Sequence, residues 1–175
     1  MFNCSPAIGE CMAHKNDKTS RGNSSQFFVA GELCRRGLVA VVTMGNTANT
    51  DILCSNVDGT QFVHIQVKTF KPGNSTVSVG RKAEIAYGDN FFWVLGGIQP
   101  PESNEPNVFY VLPSSVIARN VAENYQIWLD TPGVKGQAHN PTTVRTIQLP
   151  PRIEANGFSL EPYKNAWELI EEKLL

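Results

Sequence analysis

Three residues stand where a short hairpin would bring their side chains together: Asp51, Gln66 and Lys68. Between two β-rich runs, Thr50 to Ser55 and Phe62 to Phe70, the pair Asp58-Gly59 is a strong hairpin signal. A two-residue loop there pairs Val57 with Thr60, Ser55 with Phe62, Leu53 with His64 and Asp51 with Gln66. Directly opposed residues hold their Cβ atoms about 4.5–5.5 Å apart on one side of the sheet. Strand alternation adds Lys68 to the Gln66 side and turns Val63, Ile65 and Val67 to the other. One face then carries a carboxylate, an amide and an ammonium; the opposite face is apolar. Asp51 and the Gln66 carbonyl oxygen can supply two ligands to a hard divalent cation such as Mg²⁺. A neighbouring lysine could polarise a water nucleophile or neutralise a phosphate as charge develops. Taken singly, Asp51 could cap a strand, Gln66 satisfy a sheet edge and Lys68 extend to solvent. Three at one register favour a site.

Glu32 is the only charge in the run from Phe27 to Cys34. A helix this apolar must pack on the sheet, and a carboxylate in it needs a partner. Two readings stand: an ion pair with Arg36 one turn on, or a carboxylate aimed at the Asp51 cluster.

The elements that must position these residues follow from local signals. Residues 1–23 read as a flexible polar lead-in, and residues 24–175 as a single domain. Ser24 or Ser25 is an N-cap for a helix through Arg36, with Gly37 as its stop. Leu38 to Thr43 is β-rich and ends at a turn, Gly45-Asn46. After the hairpin, Lys71 to Gly80 reads as a loop, and Phe91 to Leu95 and Val108 to Leu112 as buried strands. Pro113-Ser114-Ser115 opens a helix striped with Ile117, Val121, Tyr125 and Trp128. Residues 130–152 read as irregular, and Pro162 starts a last helix with Tyr163, Trp167, Ile170 and Leu174 on one face. This order predicts an α/β fold, a central mixed β-sheet of four to five strands flanked by helices.

Composition bounds the function. With 175 residues, 41% of them hydrophobic, the chain has room for one domain with a full core. Its longest apolar runs, such as Phe91 to Ile98, fall far short of the roughly 20 residues a bilayer span needs. No cationic start leads into an apolar stretch, so a cytoplasmic location is expected. Cys34 and Cys54 read as small buried hydrophobes. Cys4, Cys11 and His14 offer only three ligands at no zinc spacing and read as part of the loose start. A net charge of −1 argues against a strongly basic nucleic-acid binder, but the charge is unevenly spread. No acid lies between Asp58 and Glu84, where Lys68, Lys71, Arg81 and Lys82 stand, nor between Asp130 and Glu154, where Lys135, Arg145 and Arg152 stand. Such stretches suit a polyanion, or simply solvated loops. Lys71, Arg81 and Lys82 are expected to line the mouth of the Asp51 site and bind DNA. His64 reads as a packed strand histidine and His139 as a loop residue.

The sequence of a helix Glu, a strand Asp and a strand ending in hydrophobic-Gln-hydrophobic-Lys resembles the PD-(D/E)XK, or restriction-endonuclease-like, nuclease superfamily. The residues that carry it are Glu32, Asp51 and Gln66-Val67-Lys68 in a span of roughly residues 24–70. Phe109 to Pro113 and Thr131 to His139 are similar to segments of uncharacterised bacterial members. The more common pattern has an acid where Gln66 stands; the glutamine form resembles the Mrr-like branch. The resemblance implies a restriction- or repair-type DNA endonuclease that hydrolyses phosphodiester bonds with Mg²⁺, Mn²⁺ substituting. Asp51 and Gln66 would hold the metal, Lys68 would support the nucleophile, and Glu32 would be the accessory helix carboxylate, compensating for the neutral glutamine. RNA or a branched junction is the alternative substrate. A non-catalytic nucleic-acid-binding or oligomerisation module that retains the fold is the alternative function. Cutting both strands of a duplex calls for a two-fold dimer, for which Tyr163 and Trp167 would offer an interface.

Overall fold

The computed structural model describes residues 18–43 and 47–175. In chain order it contains α1 (Lys18–Arg35), β1 (Val39–Val42), β2 (Ile52–Ser55), β3 (Phe62–Phe70), β4 (Thr76–Ser78), β5 (Phe91–Gly97), β6 (Val108–Pro113), α2 (Ser114–Asp130), β7 (Thr146–Gln148) and α3 (Glu168–Leu174). Five strands form one mixed sheet in the order β1-β2-β3-β5-β6, with β3 and β5 parallel and the other pairs antiparallel. The long alternating run of β3 puts it at the centre. Three helices flank this sheet, as the α/β reading expects.

Alternation along β3 divides the core in two. Val63, Ile65 and Val67 meet Val29 and Leu33 of α1 and Ile170 and Leu174 of α3. The other face carries Trp93 and Leu95 of β5 and Leu112 of β6, under Ile117 and Val121 of α2. His64, Gln66 and Lys68 project on this second face, beside the neighbouring strand's Phe91, Trp93 and Leu95.

The hairpin register holds residue for residue: Ser55 opposes Phe62 and Leu53 opposes His64. The turn itself is longer than expected. Val57 to Thr60 loop out, the Gly59 amide donates to the Asn56 carbonyl at 3.1 Å, and the Asn56 side-chain oxygen accepts from the Thr60 and Gln61 amides at 2.9 and 3.1 Å. Gly59 takes φ +65°, the left-handed conformation a glycine adopts without a Cβ clash. Because the loop gains one residue on each side, the pairing does not slip.

Other elements depart from the local signals. Helix α1 starts at Lys18, so Ser24 and Ser25 lie inside it; the Ser24 hydroxyl donates back to the Arg21 carbonyl at 2.8 Å. The loop read over 71–80 contains β4, and the irregular segment contains β7. The two pair in a small second sheet that buries Val77 against Ile147. The last helix is broken into a 3₁₀ turn, Glu161–Tyr163, and α3, with Asn165 at φ 53° between them. Trp167 is spent inside the chain against Phe109, ring centroids 5.6 Å apart, and is no exposed interface. Cys54 is buried, its thiol pushed up to about 11 chiefly by burial, whereas Cys34 is exposed. Cys4, Cys11, His14 and the Gly45-Asn46 turn lie outside the described residues. Among the described residues no helix is long and apolar enough to cross a membrane.

Candidate active site

Asp51 precedes β2 by one residue and extends its ladder. The Asp51 amide donates to the Ile65 carbonyl, and the Thr43 amide donates to the Asp51 carbonyl, both at 2.9 Å. This holds the Asp51 side chain beside Gln66, as the register requires. Asp51 Oδ2 accepts from the Val67 backbone amide at 2.7 Å and from Gln66 Nε2 in a short contact. Lys68 follows on the same face, half-buried, near enough for its ammonium to act on the carboxylate. Burial pushes the Asp51 carboxyl above its ordinary value; the Val67 amide, the Lys68 charge and the Gln66 amide pull it back only in part. A carboxylate so placed is short of positive charge.

The structure thus brings together Asp51, Gln66 and Lys68. Glu32 is not with them. Its oxygens accept from Arg35 and Arg36 at 2.8 Å, and Arg36 reaches on to Glu171 of α3 at 3.0 Å. Helix α1 lies on the Val63 face of the sheet, opposite the Gln66 face. An edge carboxylate on an apolar helix is satisfied within its own turn, the ion-pair reading. The Arg35 and Arg36 bonds also hold its carboxyl below the usual value, against the burial that raises it.

His64 is half-buried beside the cluster, stacked on Phe91 at 6.3 Å and 10°, with Nδ1 3.2 Å from Thr50 Oγ1. This is the packed strand histidine. Lys71, Arg81 and Lys82 are exposed, the first just past β3 and the others on a 3₁₀ turn, Arg81–Glu84, whose Ala83 packs into the core on the α2 side. Arg145, by contrast, is not a surface cation. It is 6% exposed and donates to Glu84 at 2.5 Å and to the Thr142 and Val144 carbonyls. Sequence reasoning missed the Val67 amide as a partner of Asp51, since a backbone donor leaves no residue-type signal.

Could this cluster hold a cation? Among the described residues no three His, Cys, Asp or Glu side chains come together, so a closed zinc-type site does not fit. Mg²⁺ does fit. It keeps several waters and takes one or two protein oxygens plus phosphate oxygens. Asp51 offers one oxygen, and Gln66 offers a second if its amide turns over, so that the oxygen replaces the Nε2 now donating to Asp51.

No family model and no curated protein matches the chain. A bacterial homing endonuclease, I-Ssp6803I, matches in structure over 90% of this chain and 95% of its own, with TM-score 0.54 and 17% identity. Hjc, a Holliday junction resolvase from Archaeoglobus fulgidus, matches over 73% of this chain and 88% of its own, with TM-score 0.41 and 15% identity. The first likeness shows that the chain shares that endonuclease's fold, the α/β architecture around a mixed sheet that the sequence predicts. At this identity it extends to the fold and no further.

Proposed function

We propose that the protein is a Mg²⁺-dependent DNA endonuclease whose centre is Asp51, Gln66 and Lys68. The supporting observation is the convergence itself: a half-buried carboxylate with too little positive charge, an amide and an ammonium on one face of a nuclease fold. Asp51 and Gln66 would hold the ion. When bound, it supplies Lewis-acid stabilisation of charge on a phosphodiester. Val67 fixes the orientation of Asp51 through its amide, and Lys68 places a cation where phosphate charge grows. Glu32 stands outside this centre because its charge is committed to arginines. Cutting both strands of a duplex would call for two copies of the chain, arranged through a surface other than Trp167.

Nicking of supercoiled plasmid in Mg²⁺ or Mn²⁺, abolished by a chelator, is the expected result. RNA and a branched junction serve as alternative substrates in the same assay. If no form is cut and calorimetry detects no divalent-metal binding, the fold serves a non-catalytic binding or oligomerisation module instead.

Two further outcomes are expected. Gln66→Glu adds a second charge to the ligand set, so calorimetry should show tighter metal binding with cleavage kept or raised. Alanine at Lys71, Arg81 and Lys82 together should weaken DNA binding and flatten the slope of log affinity against log salt by about 2–3. An unchanged slope would place the phosphate contacts elsewhere.

A further inference from the structure

The five-stranded sheet has two edges, and they are finished differently. Beyond β6, the segment that precedes α3 closes the ladder: Lys164 bridges Tyr110, and the Asn165 amide donates to the Phe109 carbonyl at 2.8 Å. Pro113 ends that strand and has no amide to offer a neighbour. The opposite edge has no such cover. Among the described residues β1 pairs with β2 alone. Leu38 to Thr43 carries no charge and no proline, and its register runs without a bulge. Those are the devices that keep an open edge from pairing.

Alternation fixes what this edge offers. The Thr43 amide donates to the Asp51 carbonyl, so Thr43, Val41 and Val39 turn their backbone groups toward β2. Ala40 and Val42 therefore turn theirs outward, away from the sheet. Val39 and Val41 project on the face of Leu53, His64 and, by alternation, Gln66, the face of the proposed centre. Helix α2 packs over β5 and β6 on that face. At the other end of the sheet Val39 and Val41 stay 44% and 57% exposed.

We propose that β1 pairs antiparallel with β1 of a second copy, about a two-fold axis normal to the sheet at Val41. A second copy fits because the edge is complementary to itself. The outward groups lie two residues apart, so Ala40 of each copy meets Val42 of the other and every outward amide and carbonyl finds a partner. Val41 then opposes its own copy, and Val39 opposes Thr43. Both centres lie on one side of one continuous sheet. With strands about 4.8 Å apart and a rise of about 3.3 Å per residue, the two Asp51 residues stand about 20 Å apart. The inference rests on the nuclease reading and deepens it by naming the surface that brings a second centre to the other strand of a duplex. So few paired residues fall well short of the about 20–30 a side of a standard interface. The dimer is weak, and a covalent trap detects it.

The trap is a cysteine placed on the axis of the full chain. With Cys4, Cys11 and Cys34 replaced by serine and Cys54 buried, Val41→Cys should form a reducible disulfide dimer in air. Partners at such a non-hydrogen-bonded position hold their Cα atoms about 4.5 Å apart, within disulfide reach. Val39→Cys should stay monomeric, since its own copy lies about 13 Å away along the strand. Ala40→Pro, added to Val41→Cys, removes an outward amide that β2 does not use. Its melt should match that of Val41→Cys, while linkage slows roughly tenfold or more, the scale of two lost hydrogen bonds. No linkage in Val41→Cys, equal linkage in Val39→Cys, or undiminished linkage with Ala40→Pro overturns the pairing. Neither metal nor nucleic acid enters this assay. Cleavage without linkage sinks the pairing and leaves the nuclease reading standing, and linkage without cleavage does the reverse.

Discussion

Replacing Lys68 with alanine is expected to slow phosphodiester cleavage by roughly a hundredfold or more, the scale of losing one preorganised charge at a transition state. Divalent-metal binding should persist, because in the proposed centre Asp51 and Gln66, not Lys68, would hold the ion. The fold should persist too. Lys68 is half-buried on the polar side of β3, and its neighbour Val67 carries the core packing. Nicking rate, calorimetric metal titration and a thermal melt separate these effects. Undiminished cutting by the variant would remove Lys68 from the centre, whereas lost metal binding would mean that its charge holds Asp51 in place.

Asp51→Asn should lose metal binding and cut slower by roughly two or more orders of magnitude, yet melt at a higher temperature than the parent at neutral pH in chelator. The sign follows from burial. The folded-state pKa of Asp51 is raised, so ionising it costs more in the folded chain than in the unfolded one. That cost is present in full above the folded pKa and vanishes below the unfolded value of about 3.9. Asparagine has no charge to bury. Its side-chain oxygen can still accept from Val67, and its amide can face the Gln66 oxygen after a half-turn of that side chain. The two melting curves should therefore converge as pH falls through the carboxylate range. A variant less stable than the parent at neutral pH would show that the ionised carboxylate is a net support of the fold.

Burial raises the Glu154 carboxyl in the same direction, against the pull of the Gln148 amide. Asp51 and Glu154 are thus both held where ionisation is costly. The helix acid Glu32, neutralised by Arg35 and Arg36, is not.

Whatever depends on neighbours along the chain was legible in the sequence. The pleat has a period of two, and a hairpin ties two strands through one short loop, so the Asp51–Gln66 pairing follows from counting residues around Asp58-Gly59. It survived a turn of the wrong length because the extra residues entered symmetrically. The five central strands were legible for the same reason, each carrying its own apolar run. What only the tertiary structure decided is which face each partner covers. Glu32 reads equally well as a ligand or an ion pair until α1 is seen to lie on the Val63 side, where Arg35 and Arg36 claim it. Arg145 reads as a free cation until Glu84, distant in sequence, folds over it, and Trp167 as an interface until Phe109 meets it. The pairing of β4 with β7 arises in the same way. Local periodicity specifies which side of an element is apolar; only the packing of distant segments specifies what that side meets.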